Sequence, residues 1–225
     1  MKTVILCGGK GTRLAPFTYV LPKPMMPIGD KAILEILLQQ LRRYGFTDIV
    51  LAVGYLASLM KAYFKDGQQY ELNITYSNEL EPLGTAGPLS LIPGLDETFL
   101  VCNGDVLTTL NFYDFVNFHK EQGGILTIAM HRRQVQIDLG IIEQDDGDNI
   151  ITGYVEKPNL DYKVSMGLYL LEPRALEYIP QKQYFDFPDL VKLLLSKGEK
   201  VVGYPFDGYW RDLGNREDYE QACKD

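Results

Sequence analysis

A short apolar run that ends in glycines does most to constrain what this chain of 225 residues can fold into. Residues 4–7 are apolar without interruption, and Gly8, Gly9 and Gly11 follow directly. A run of this length is typical of a strand buried on both faces, as in a parallel sheet. The glycines predict a loop whose backbone can approach another group closely.

Strands and helices alternate through the first half of the chain. Buried strands are predicted at residues 49–53 and 99–102, a further strand at residues 72–77, and helices at residues 33–44 and 56–65. The first of these helices places its apolar side chains on one face, and Gly45 suits its C-terminal end. This order predicts an α/β fold built on a largely parallel sheet.

The second half is richer in strands. Extended segments are predicted at residues 126–130, 140–143, 150–156, 167–171 and 201–204, a turn at 145–149, and helices near 173–179, 187–197 and 216–223. No linker composition or internal repeat divides the chain. We therefore predict one domain over residues 1–225, with a mixed, mainly parallel central sheet flanked by helices. Its halves cover about residues 1–110 and 111–225.

The charge of the chain is negative but unevenly spread. The net charge is −8, yet residues 1–43 contain seven basic and two acidic side chains. The negative total argues against a nucleic-acid surface, whereas small anionic ligands are held by local charge. No apolar stretch approaches a membrane span or a signal sequence, so no membrane association and a cytoplasmic location are predicted. Cys7 and Cys102 lie in apolar runs and are expected to be buried thiols.

The loop after the first strand carries the strongest local signal. Lys10 and Arg13 lie among its glycines, and their charges suit phosphate oxygens. The loop lacks the spacing of a P-loop and of a Rossmann fingerprint. A simple turn between strand and helix remains open as the alternative. Lys23 lies between two prolines, which would hold it rigidly towards a phosphate, although a solvated loop lysine is the simpler interpretation.

Two carboxylates follow predicted strands. Asp105 comes directly after the strand at residues 99–102, at the edge of an α/β sheet where ligands bind. Mg²⁺ takes one or two carboxylates together with substrate phosphate oxygens, so Asp105 and Asp212 are candidate metal ligands. His119 and His131 have no partner at a catalytic spacing and are expected to be structural.

Five motifs in order resemble the sugar-phosphate nucleotidylyltransferase family over nearly the whole chain. They are GGKGTRL at residues 8–14 with PKP at 22–24, LGTAG at 83–87, GD at 104–105, EKP at 156–158 and WRDLG at 210–214. The resemblance implies a Rossmann-like nucleotide-diphospho-sugar transferase fold. It also implies that a nucleoside triphosphate and a sugar 1-phosphate condense to a nucleotide sugar and pyrophosphate, for nucleotide-sugar and polysaccharide biosynthesis.

The same resemblance implies a role for each matching residue. Arg13, Lys23, Asp105 and Lys157 would be catalytic, and Asp105 and Asp212 would hold Mg²⁺. The nucleotide would contact Leu6, Gly8, Gly9, Lys10, Gly11, Thr12, Arg13, Leu83, Gly84, Thr85 and Gly104. The sugar phosphate would contact Gly140, Glu156, Lys157, Ser165 and Gly167. One departure is Ser165, where the family often has an asparagine that contacts the sugar.

Specificity and assembly remain open at this point. The LGTAG version of the loop resembles guanylyltransferases acting on mannose 1-phosphate or a related sugar, while thymidylyl-, uridylyl- and cytidylyl-transferring relatives are alternatives. Two other classes of function are open. One is a catalytically silent paralogue that senses nucleotide sugars, and the other is a glycosyltransferase. Residues 184–187 would suit either a homodimer interface or the core. Many relatives carry a C-terminal β-helix, and this chain resembles the catalytic domain alone.

Overall fold

The computed structural model describes residues 1–145, 147 and 149–225. Its strands are β1 (Lys2–Cys7), β2 (Pro27–Ile28), β3 (Lys31–Ala32), β4 (Asp48–Val53), β5 (Asn73–Asn78), β6 (Phe99–Asn103), β7 (Val106–Thr108), β8 (Leu126–Gln136), β9 (Ile141–Gln144), β10 (Ile151–Val155), β11 (Asn159–Leu171), β12 (Val201–Phe206) and β13 (Trp210–Asp212). Its α-helices are α1 (Ile33–Arg43), α2 (Ala57–Phe64), α3 (Phe112–Gln122), α4 (Phe187–Ser196) and α5 (Arg216–Ala222).

Seven strands form one mixed central sheet, in the order β12-β8-β11-β6-β1-β4-β5. Strands β6, β1, β4 and β5 are mutually parallel, and Val4 of β1 lies opposite Val50 and Val101. Strand β11 runs antiparallel to both β6 and β8, and β12 is parallel to β8. The predicted α/β class with a mixed, mainly parallel sheet is confirmed.

Both faces of the sheet are covered. One face packs Ile5, Leu51 and Leu100 against helices α1, α2 and α3, and the other packs Val4 and Val101 against α4. Side chains alternate between the two faces along each strand, so both sets must be apolar. This explains why β1, β4 and β6 each contain an uninterrupted apolar run.

Local signals account for the ends of several helices. Asn111 accepts hydrogen bonds from the backbone N–H groups of Tyr113 and Asp114, which caps α3. Gly45 adopts the left-handed conformation after α1, with φ of 81°, as the sequence predicts. The helix predicted near 173–179 is instead a 3₁₀ helix, Pro173–Tyr178, closed by short-range bonds such as Ala175 N–H to Glu172 O.

The predicted strands at 126–130 and 167–171 are too short. Strand β8 continues to Gln136, and β11 begins at Asn159, so the two form a long ribbon beyond the core. The outer part of this ribbon is largely exposed, and burial no longer imposes an apolar pattern on it. Of the predicted turn at 145–149, Asp146 and Asp148 lie outside the described residues.

Candidate active site

A cleft of about 400 Å³ lies at the carboxyl ends of β1 and β6. It is lined by Leu6, Cys7, Gly8, Gly9, Gly11, Arg13, Lys23, Pro24, Glu79, Pro82, Gly84, Thr85, Pro88, Asn103, Asp105, Tyr184, Asp186 and Asp212. This is the edge at which α/β sheets bind their ligands. The structure therefore brings most of the predicted nucleotide residues and both predicted metal ligands to one place.

The glycine loop forms one wall of the cleft. Gly11 has φ of 62°, and the buried Thr18 donates a hydrogen bond of 2.9 Å to its carbonyl oxygen. A side chain at position 11 would lie 3.0 Å from the Thr18 methyl group, so only glycine suits this position. Lys10, Thr12, Leu83 and Gly104, which the sequence places on the nucleotide, do not line the cleft; Lys10 and Thr12 are exposed, and Gly104 donates to Leu6 O.

Lys23 is a buried lysine, and the solvated alternative is wrong. Lys23 is the first residue of a 3₁₀ turn (Lys23–Met25), and 8% of the residue's surface is exposed. The Lys23 ammonium donates a hydrogen bond to Asp105 Oδ2. A buried ammonium needs a partner of opposite charge, and Asp105 supplies it.

Asp105 and Asp212 are neighbours because β7 and β13 pair. Asp212 lies opposite Val106, and Leu213 N–H donates to the carbonyl oxygen of Asp105. Two carboxylates beside a cleft fit Mg²⁺, which takes oxygen ligands and completes its shell with phosphate and water. Over the described part of the chain, no cluster of three or more histidine, cysteine or carboxylate groups has metal-ligand geometry.

Arg13 reaches the same corner of the cleft. A methyl group built on Gly214 would lie 3.2 Å from Arg13 Nη2 and 3.2 Å from both carboxylate oxygens of Asp212. The absence of a side chain at Gly214 thus leaves room for the guanidinium and the carboxylate to approach. Positive and negative groups alternate here, as a bound triphosphate with its cation requires.

Asp212 titrates abnormally in this setting. Burial is the main cause that raises its pKa above the ordinary value, and the charge of Asp105 adds to the shift. The charges of Lys23 and Arg13 act in the opposite direction. The raised pKa of Asp212 therefore reflects its burial first and the neighbouring charge of Asp105 second.

Asp212→Asn is expected to stabilise the ligand-free protein at neutral pH. A carboxyl whose folded-state pKa is raised stabilises the fold fully below its unfolded pKa and loses that contribution as pH rises through the folded pKa. Removing the charge should raise Tm at pH 7 by about 2 °C, and the difference should vanish towards about pH 4. Calorimetry with a chelator present measures this, with the exposed Asp30→Asn as the control. A lower Tm for Asp212→Asn at pH 7 would contradict the expectation.

Two carboxylates in the cleft were missed by sequence reasoning. Glu79 lies against Gly8 and accepts a 3.0 Å hydrogen bond from Leu83 N–H. Burial raises its pKa above the ordinary value. Asp186 accepts hydrogen bonds from the backbone and hydroxyl of Thr85. Neither carboxylate belongs to a local motif, although Glu79 follows β5 at the same sheet edge, a position that could have indicated it.

The predicted sugar-phosphate residues lie away from the cleft lining. The Tyr154 ring covers Gly140, and its hydroxyl donates to Glu156 Oε2 at 2.9 Å. Lys157 is exposed, with φ of 43° where the chain turns into β11. Among the described residues that line the cleft, none comes from the segment 140–167.

Ser165 and Gly167 lie behind the wall of the cleft. The Ser165 hydroxyl donates to the Tyr169 hydroxyl at 3.0 Å, and the Tyr169 ring stacks on Phe187 at 4.0 Å. A side chain on Gly167 would lie 2.5 Å from the amide of Asn103, which itself lines the cleft. Gly167 therefore contacts a residue that lines the cleft, whereas the two aromatic residues that follow from Ser165 do not line it.

Both histidines have structural partners, as predicted. The buried His119 ring contacts Thr127 Oγ at 2.7 Å and Glu172 Oε1 at 2.9 Å. His131 Nδ1 lies 2.9 Å from Phe206 O. The predicted burial of Cys7 and Cys102 is also confirmed.

A comparison with known proteins identifies the family. Residues 2–225 match the family model described as nucleotidyl transferase. The chain belongs to the nucleotidyl transferase family. The five motifs that suggested this family therefore lie within a match that covers almost the whole chain.

Individual members of the nucleotidyl transferase family agree with this. The UTP–glucose-1-phosphate uridylyltransferase of Synechocystis sp. is 37% identical over all of this chain. The mannose-1-phosphate guanyltransferase of Saccharomyces cerevisiae is 35% identical over 97% of it. The chain spans 63% of the length of each.

Solved structures show the same fold. HddC from Yersinia pseudotuberculosis is 27% identical, with a TM-score of 0.77 over 99% of this chain and 98% of its own. The structure of HddC complexed with GMP-PN matches with a TM-score of 0.74, over the same shares. The predicted nucleotide-diphospho-sugar transferase fold is thus confirmed. In the described residues, no helix is long and apolar enough to cross a membrane.

Proposed function

We propose that this chain transfers a nucleotidyl group from a nucleoside triphosphate to a sugar 1-phosphate. The observation that carries the proposal is the convergence of the glycine loop, two cations and two carboxylates on one cleft. The cations are Arg13 and Lys23, and the carboxylates are Asp105 and Asp212. Glycine loops with N–H groups and neighbouring cations suit phosphates, and paired carboxylates suit their divalent cation.

The reaction is an in-line displacement at the α-phosphorus. An oxygen of the sugar phosphate forms a bond to this phosphorus, and the bond from the phosphorus to the bridging oxygen of the β-phosphate breaks. Pyrophosphate leaves with both electrons of that bond. The attacking group is a phosphate dianion, so no general base is needed, which agrees with two histidines committed to structural contacts.

Catalysis then rests on positioning and on charge. Arg13 grips the departing pyrophosphate, and Lys23 holds the reacting phosphates while keeping Asp105 oriented. Mg²⁺ held by Asp105 and Asp212 would neutralise charge on the phosphate oxygens. Lys157 would hold the sugar phosphate, with Glu156, Gly140, Ser165 and Gly167 towards the sugar. In the structure, none of these five residues lines the cleft.

GTP is the proposed nucleotide, and Glu79 supports it. Guanine presents two N–H donors on one edge, at N1 and at the exocyclic N2, and a carboxylate can accept both. Uracil and thymine present one N–H between two carbonyl oxygens, which a carboxylate repels. Glu79 lies between Gly8 and Leu83, where the base would enter. Mannose 1-phosphate or a related sugar is the proposed acceptor, which the yeast guanyltransferase likeness supports.

A uridylyl transfer is the second candidate, because the Synechocystis uridylyltransferase is 37% identical. Four nucleoside triphosphates tested against several sugar 1-phosphates, with pyrophosphate release as the readout, decide between them. GTP as the poorest donor would overturn the guanylyl proposal. Release with no pair would favour a silent nucleotide-sugar sensor. Transfer from a nucleotide sugar without pyrophosphate would favour a glycosyltransferase, which the sequence Asp105-Val106-Leu107 disfavours because it lacks a second carboxylate.

Glu79→Gln is expected to change the base preference. The amide keeps its shape but replaces one acceptor with a donor, which suits the carbonyl and N–H of uracil better than the two donors of guanine. We expect kcat/KM for GTP to fall by about 10–100-fold and the ratio of UTP to GTP use to rise. Glu81→Gln, an exposed neighbour outside the cleft lining, is the matched control. An unchanged ratio in Glu79→Gln would remove Glu79 from base recognition.

A further inference from the structure

The loop at residues 83–87 is fastened to the start of α4 by contacts about a hundred residues apart. Leu83 O accepts from Phe185 N–H, and Phe185 O accepts from the N–H groups of Ala86 and Gly87. Gly84 has φ of 77°, and a side chain there would lie 2.7 Å from Phe185 O. The loop is therefore held against the segment before α4 along its whole length.

Asp186 is the N-cap residue of α4 but does not cap the helix. Its side chain makes no capping hydrogen bond, and the residue at the second helical position is Pro188, which has no N–H to offer. Asp186 Oδ1 instead accepts from Thr85 N–H at 2.9 Å and from the Thr85 hydroxyl at 3.0 Å. Its other oxygen accepts from the Tyr184 hydroxyl at 2.6 Å.

The side chain that caps α4 is that of Thr85 rather than that of Asp186. The Thr85 hydroxyl oxygen accepts a 2.8 Å hydrogen bond from Phe187 N–H, the first amide of α4. The aspartate thus fixes the loop, and the loop caps the helix. Both side chains line the cleft, beside Gly84 and across from the glycine loop.

We propose that Asp186 is a positioning residue for the base of the nucleotide, acting through Thr85. It holds the peptide between Gly84 and Thr85 in one orientation, so that the loop meets the base without first being ordered. The proposal rests on the proposed nucleotidyl transfer, because it assumes that a nucleotide base lies against residues 83–85. It assigns Asp186 no contact with the reacting phosphates.

The affinities for two ligands, one with a base and one without, distinguish a positioning role of Asp186 from a general loss of structure in the cleft. In the proposed binding mode, a nucleoside triphosphate would contact the glycine loop with its phosphates and the 83–85 loop with its base, whereas inorganic tripolyphosphate has no base. We expect Asp186→Ala to raise the Kd of GTP by about 10-fold and to leave the Kd of tripolyphosphate within about twofold of the wild type's. Calorimetric titration measures both constants, and thermal unfolding reports on the fold.

Further variants make the test sharper. Thr85→Val removes the hydroxyl but keeps the shape and should weaken GTP binding as Asp186→Ala does, while Thr85→Ser, which keeps the hydroxyl, should recover most of the affinity that Thr85→Val loses. Asp186→Asn keeps an accepting oxygen and should restore most of the affinity. The control is Asp189→Ala, an exposed aspartate on the same helix. In turnover, KM for GTP should rise in Asp186→Ala while KM for the sugar phosphate stays constant.

The outcomes distinguish a failure of the Asp186 proposal from a failure of the proposed nucleotidyl transfer. If the wild type binds GTP and Asp186→Ala binds it equally well, the positioning role is overturned alone. Equal weakening of GTP and tripolyphosphate would also overturn it, since the damage would not be confined to the base. If the wild type binds none of the four nucleoside triphosphates, the proposed function is overturned, and the positioning role falls with it.

Discussion

Asp105→Asn is expected to lower kcat on the order of 10³-fold. Asp105 touches Lys23 and lies beside Asp212, so the substitution removes the charge of a proposed metal ligand and weakens the ion pair with a buried lysine. The asparagine keeps an oxygen that can accept from Lys23, and the fold should therefore survive with a small loss of stability. The measurement is pyrophosphate release at saturating GTP, sugar phosphate and Mg²⁺.

The control for this prediction is Asp30→Asn. Asp30 is an exposed aspartate in the turn between β2 and β3, and it belongs neither to a predicted motif nor to the cleft lining. It should turn over like the wild type. Near-wild-type turnover by Asp105→Asn would overturn the metal assignment, and circular dichroism would show whether a loss of activity reflects unfolding instead.

Arg13→Ala is expected to lower kcat on the order of 10²-fold and to weaken the binding of pyrophosphate in the reverse reaction. The guanidinium reaches the corner of the cleft beside Asp212 and Gly214, where its fork can bind two phosphate oxygens at once. Arg13 is exposed, so its removal should lower Tm only slightly, through the lost attraction between Arg13 and the Asp212 carboxylate. Pyrophosphorolysis of the nucleotide sugar gives KM for pyrophosphate directly.

Arg13→Lys tests whether geometry or charge matters at this position. A lysine keeps the charge but offers no planar fork, so it should recover only part of the lost rate. Arg43→Ala, at the exposed end of α1, removes an equal charge outside the cleft and serves as the control. A KM for pyrophosphate that does not change in Arg13→Ala would place the arginine elsewhere in the mechanism.

The sequence predicted those elements whose patterns arise locally. Strand β1, helix α1 and the left-handed Gly45 were all indicated by periodicity or by one residue with a special backbone. The order of strands was not, because β11 enters the sheet between β6 and β8 from a distant part of the chain. Sheet order depends on packing between segments, and no pattern within a segment reports it.

The residues of the candidate site also divide into those that a local pattern predicts and those that only packing between segments reveals. The glycine loop and Asp105 could be found because a strand end and its loop are contiguous in sequence. Burial of Lys23 could not, since its partner is 82 residues away. Asp186 was missed for a similar reason, because its hydrogen-bond partner Thr85 lies 101 residues away and only the packing of α4 brings the two together.

The pairing of β7 with β13 has a consequence for a growing polypeptide on the ribosome. All seven strands of the central sheet precede residue 207, so a nascent chain of that length already contains everything the sheet requires. It still lacks Asp212 and Gly214, which complete the corner that Arg13 and Asp105 share. A nascent chain can therefore contain every strand of the central sheet before this corner of the proposed site has been synthesised.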